Sequence, residues 1–151
     1  GPLRSLHCMS MGLGGAVLVA VCGVWSIALV LFDVHRRRLP DALTIPAGVL
    51  ALVACVFHPL ALWGLVWPAG YLLTGRGIGG GDIKLALPLG IAVAWVAGLA
   101  GVICAVALSG LFTALFATLL KARTLPHGPS MLAAAWAVVI VGVLWPHPFG
   151  S

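Results

Sequence analysis

The chain has 151 residues, of which 62% are hydrophobic and only 7% charged, and it carries a net charge of +5. Soluble domains carry roughly 25% charged residues, so this chain cannot cover a water-facing surface and reads as one integral membrane domain. The bases sit in short stretches between apolar runs, where they signal topology, and this excludes the nucleic-acid partner that the positive charge alone would suggest.

The opening Gly-Pro-Leu-Arg-Ser looks like the remnant of a cleaved tag, which leaves residues 6–151 as the domain proper. The first apolar segment runs from about Met11 to Phe32 and ends at Asp33-Val-His-Arg-Arg-Arg. The second runs from about Ala42 to Phe57 and the third from about Leu60 to Thr74. Together they are too long for one helix across a bilayer core of about 30 Å, and His58-Pro59 is the natural break. The stretch from Gly75 to Asp82 is rich in glycine and predicts a loop. A fourth segment from about Ile83 to Val96 and a fifth from about Val102 to Leu120 share another over-long run, with the turn expected at Gly98-Leu-Ala-Gly101. A Pro- and Gly-rich stretch, Leu125 to Pro129, precedes a sixth segment from Ser130 to Trp145.

The expected architecture is therefore all-α, a polytopic bundle of about six transmembrane helices. Odd-to-even loops then carry Arg36, Arg37, Arg38, Arg76, Lys84, Lys121 and Arg123, and the other side carries only Arg4. Under the positive-inside rule the basic side is cytoplasmic and both termini are extracytoplasmic. Several of the six tryptophans, including Trp63, Trp67, Trp136 and Trp145, fall near predicted helix ends, as an interfacial belt would place them. Cys8, Cys22, Cys55 and Cys104 form no CxxC pair and read as small buried hydrophobes rather than disulfide or metal ligands.

All three acids, Asp33, Asp41 and Asp82, fall on the cytoplasmic side of this topology. An ionised Asp at the centre of a membrane helix costs about 2.5–3.5 kcal/mol on insertion scales, so intramembrane acids are functional candidates by default. Taken singly, Asp33 reads as an interfacial acid paired with Arg36 or Arg37, and Asp82 as a helix N-cap. Taken together, they suit aspartyl proteolysis, in which two carboxylates share one proton: the ionised one activates water and the protonated one hydrogen-bonds the scissile carbonyl. The glycines before Asp82, Gly79 to Gly81, permit close approach by a neighbouring helix or an extended substrate. Lys84 either tunes the pair or extends to the headgroups. Asp41 reads as a loop or capping residue. His35 and His127 have no metal-ligand partner at helical spacing, and neither metal nor cofactor is expected.

Two stretches carry a family likeness. The first is Asp33-Val-His-Arg-Arg-Arg-Leu-Pro-Asp-Ala-Leu-Thr-Ile-Pro46, and the second, about fifty residues on, is Gly79-Gly80-Gly81-Asp82-Ile83-Lys84-Leu85. A weaker third is Leu125-Pro-His-Gly-Pro-Ser-Met-Leu132. With these the sequence resembles the type IV prepilin peptidases, membrane aspartyl proteases of the GxGD type. The resemblance implies that Asp33 and Asp82 are the catalytic pair, with Pro40, Gly79, Gly80, Gly81 and Lys84 shaping the site or binding substrate. It implies cleavage on the cytoplasmic side of a bacterial inner membrane, just before the hydrophobic segment of a prepilin or pseudopilin, with that signal peptide and lipid as the partners. Asp41 stands where the family usually has Asn. Larger members add a cytoplasmic domain with paired CxxC motifs and methylate the new N-terminus, so this chain is expected to be a short-form peptidase without N-methyltransferase activity. The alternatives are a preflagellin- or presenilin-like GxGD protease, a small proton-coupled transporter using Asp33 and Asp82, and an inactive scaffolding homologue.

Overall fold

The computed structural model describes residues 2–36, 39–74, 80–121 and 127–144. Helix α1 (Pro2–Arg36) is followed by α2 (Asp41–Ala54), a 3-10 segment (Pro59–Leu65) that runs into α3 (Val66–Thr74), α4 (Gly80–Leu120) and α5 (Gly128–Leu144). α1 takes in residues 2–5 as continuous helix. By length and composition two stretches are apolar enough to cross a membrane, Gly12–Arg36 and Asp82–Leu120.

The breaks fall where proline and glycine force them. α2 ends before His58, whose φ of −146° and ψ of 81° are not helical, and Pro59 then opens the 3-10 segment. α4 is interrupted at Gly98, where φ is 67° and ψ is −165°, a conformation that only glycine adopts without strain. The expected turn is thus a single-residue reversal that divides α4 into two arms.

That reversal is what closes the bundle. A straight helix would separate Asp82 from Thr113 by roughly 46 Å at about 1.5 Å per residue. Instead Thr113 bonds His127, the neighbouring Gly128 bonds Asp33, and the charge of Asp33 acts on Asp82. The end of α1, the start of α2, the end of α3, both ends of α4 and the start of α5 therefore meet at one end of the molecule.

Packing relies on small residues, as expected where lipid tails remove the usual hydrophobic drive between helices. The 3-10 segment and the first arm of α4 cross with Gly64 and Gly90 in backbone contact, so that a Cβ on either would strike the other's main chain. Gly48 of α2 faces Leu87 in the same way, 3.0 Å from where a Cβ would lie. Around these crossings Leu29, Trp67, Leu85, Val93, Met131 and Val138 form one buried core.

Two expectations fail here. Trp67 is only 1% exposed, and Trp136 donates its indole N–H to Ser26 Oγ at 2.9 Å, so neither belongs to an interfacial belt; both serve helix packing. Trp63 is exposed, and Trp145 lies outside the described residues. Cys55 is buried as expected, but Cys104 is exposed and Cys22 only half-buried.

Candidate active site

Asp33 lies near the C-terminus of α1, where its own helix dipole disfavours an acid. The structure offers a compensating partner from the other end of the chain. The Gly128 backbone N–H, first in α5, donates to Asp33 Oδ2 at 2.9 Å. Pro129 follows and has no N–H, so Gly128 supplies the leading donor of this helix end. Positive helix ends receive anions well, and Asp33 occupies that position on α5 although it belongs to α1. It is 6% exposed. Of the two bases expected to pair with Asp33, Arg37 lies outside the described residues, and the Arg36 guanidinium sits 5.5 Å from the centroid of the Phe32 ring.

Asp82 lies in the first turn of α4, two residues inside the helix rather than at its cap. Gly80 and Gly81, expected in the loop, instead form the start of that helix, and Gly79 lies outside the described residues. Asp82 thus has the favourable dipole of its own N-terminus. Asp33 is the charge that acts on it. Asp33 on α1 and Asp82 on α4 lie at the same end of the bundle, each at a positive helix end, within range for the charge of one to act on the other.

The other candidates frame this pair. Pro40 has φ −71° and ψ 132° and ends the connection from α1. Its carbonyl accepts the Leu43 N–H at 3.0 Å and the Thr44 N–H at 3.2 Å, which starts α2. Asp41 opens α2, and its Oδ1 accepts from Lys84 Nζ at 2.7 Å. Lys84 is engaged with Asp41, joining the starts of α2 and α4. The pair is 47% and 55% exposed, so it adds at most about 1 kcal/mol.

A family model described as the type IV leader peptidase family matches residues 20–119, which contain both Asp33 and Asp82. The chain belongs to this family. Its sequence is 32% identical over 155 aligned positions to the prepilin leader peptidase/N-methyltransferase of Aeromonas hydrophila, covering 89% of this chain and 53% of that protein. The proteins of the same description from Dichelobacter nodosus and Neisseria gonorrhoeae are 31% and 33% identical, covering 87% and 83% of this chain and 51% and 48% of theirs. The chain spans about half the length of these relatives. No solved structure matches it.

Sequence reasoning found the leader-peptidase motifs but missed what surrounds Asp33. Gly128 lies in the weak third motif, and nothing local marks it as the residue whose N–H reaches a carboxylate 95 positions earlier. Its lack of a side chain is also required: a Cβ there would run into Asp33 Oδ2 and lie 3.1 Å from Asp33 Cγ.

Proposed function

We propose that this chain is a membrane aspartyl endopeptidase that removes the leader peptide of prepilin-like substrates, with Asp33 and Asp82 as the catalytic pair. What supports this reading is that these two acids, one from each family motif, lie at the same end of the helical bundle. One carboxylate, ionised, takes a proton from a water molecule as the water oxygen attacks the scissile carbonyl carbon. The other, protonated, donates a hydrogen bond to the carbonyl oxygen and supports its developing charge. Collapse of the tetrahedral intermediate breaks the C–N bond, and the leaving nitrogen takes up a proton from the pair. The two acids titrate as a unit, so neither is assigned acid or base alone.

The proposal includes a six-span arrangement with both termini outside a bacterial inner membrane and the acids at the cytoplasmic face. Arg36, Lys84 and Lys121 stand at helix ends on the acid-bearing side, in keeping with the positive-inside rule. The substrate's hydrophobic segment would lie in lipid beside the bundle, bringing its leader junction to the acids.

The test is co-expression with a prepilin, comparing wild type with Asp33→Asn, Asp82→Asn and Asp41→Asn. Processing lost in the first two and kept in the third supports the pair. Processing that survives Asp33→Asn but fails with Asp41→Asn assigns the wrong partner to Asp82. Mass analysis of the product N-terminus reads methylation in the same samples.

A further inference from the structure

Beside Gly128 a small polar cluster joins three helices inside an otherwise apolar bundle. His127 Nε2 lies 2.7 Å from the Tyr71 hydroxyl on α3. His127 Nδ1 lies 2.7 Å from Thr113 Oγ1 on the second arm of α4. The His127 carbonyl accepts the Met131 N–H at 3.1 Å, which makes this residue the opening of α5. Tyr71 also approaches Ser109 Oγ at 3.5 Å, and Ser109 in turn donates to the Val106 carbonyl at 2.8 Å. Tyr71 and Ser109 are both buried, so these polar groups would be costly without one another.

The cluster is built for a neutral ring. Burial holds the His127 imidazole below its ordinary value. In a neutral imidazole one nitrogen donates and the other accepts, and a Tyr and a Thr hydroxyl can each do either, so both tautomers are fully partnered. With both nitrogens engaged, the ring has no free lone pair for a water molecule. Its consequence is mechanical: the residue ahead of Gly128 is fixed to α3 and α4 at once.

We propose that His127 is a positioning residue for Asp33, anchoring the start of α5 between α3 and the second arm of α4 so that the Gly128 N–H stays on Asp33 Oδ2. This rests on the reading of Asp33 as one of the catalytic pair. The role predicts a loss in turnover rather than in substrate affinity, because His127 acts on the carboxylate through the backbone.

The test uses the purified full chain in detergent with a prepilin substrate. His127→Ala lowers kcat about ten- to a hundred-fold with KM little changed, as a misplaced catalytic group does. His127→Gln, which returns an amide near the Nε2 position, recovers part of the rate. Tyr71→Phe added to His127→Ala brings no further loss, since its partner is already gone. In protein labelled with 15N-glycine, the Gly128 amide exchanges slowly in wild type and faster in both His127→Ala and Asp33→Ala. A wild-type kcat in His127→Ala overturns the proposal, as does a lost kcat with Gly128 as protected as in wild type. If His127→Ala does not fold, Tyr71→Phe and Thr113→Ala decide it: unchanged kcat in both overturns it, and a lowered kcat with faster Gly128 exchange supports it. If wild type cleaves no prepilin, the peptidase reading fails on its own, and Gly128 exchange still reads whether His127 holds that amide.

Discussion

Gly128→Ala separates the geometry of Asp33 from the stability of the bundle. Gly128 is helical with an ordinary negative φ, so alanine introduces no backbone strain there and improves helix propensity by up to about 1 kcal/mol. The added methyl nevertheless collides with Asp33 Oδ2, with Asp33 Cγ only 3.1 Å away and Asp33 Cβ at 3.6 Å. The carboxylate must withdraw by on the order of 1 Å, a displacement that costs a catalytic group about a hundred-fold in rate. Withdrawal also breaks a 2.9 Å bond from a backbone N–H to a carboxyl oxygen, worth about 1 kcal/mol net when the acid is neutral and up to about 3 kcal/mol when it is ionised. The propensity gain offsets part of that, so the expected change in stability is a loss of about 1–2 kcal/mol. The assay is steady-state cleavage of a prepilin substrate in detergent beside a thermal melt of the same preparation. The expected result is kcat down about a hundred-fold, KM held, and a melting temperature lowered by a few degrees. A Gly128→Ala protein that processes prepilin at the wild-type rate would refute the placement of Asp33 on the start of α5.

Three further outcomes are expected. Gly98→Ala places a side chain at φ 67°, ψ −165°, at a cost of about 1–3 kcal/mol, seen as a lowered melting temperature; an unchanged melt would mean the reversal of α4 does not pass through that conformation. Asp41→Asn and Lys84→Ala each remove an exposed ion pair, so both change stability by less than about 1 kcal/mol and keep prepilin processing; strong loss of cleavage with Lys84→Ala would give the lysine an electrostatic role beyond this pair. Burial depresses the folded-state pKa of His127, so the unfolded chain takes up its proton first as pH falls. The stability contributed by the neutral ring is complete above the ordinary histidine value of about 6.5 and declines as pH falls toward the depressed folded value. Melts of wild type and His127→Gln at pH 7.5 and pH 5 check this: the wild type loses more on acidification, and equal losses contradict it.

The legible parts of the sequence were those where one residue type permits few alternatives. Pro59 removes a donor and constrains His58, and the chain breaks there. Gly98 stands in an apolar run too long for one crossing, and the reversal occurs at that residue. Asp33 and Asp82 stood out because acids are so rare in this composition. What stayed hidden depends on contacts between distant segments. The Asp41–Lys84 pair joins residues 43 apart, and no periodicity predicts that Lys84 turns to Asp41 rather than to Asp33 or Asp82. The burial of Trp67 follows from the crossing at Gly64 and Gly90, which brings the 3-10 segment against α4. The fixing of His127 by Tyr71 and Thr113 requires α3 and both arms of α4 to be in place. The glycines ahead of Asp82 misled in the other direction. Low helix propensity argues against Gly80 and Gly81 as helix, but a first turn bears that cost more easily than a helix interior does.

The hydrogen bond between Gly128 and Asp33 also sets an order of events during synthesis. Asp33 emerges first, and the amide that donates to it is made 95 residues later. At roughly 5–20 residues per second, several seconds pass with that acid already in the growing chain and its N–H donor not yet translated. A ribosome that stalls before residue 128 leaves a membrane-bound fragment carrying both acids and both family motifs, yet without the amide that steadies the first of them. On the peptidase reading, competence to cut would then arrive only with α5, and partly made chains would be held inactive until that helix is in place.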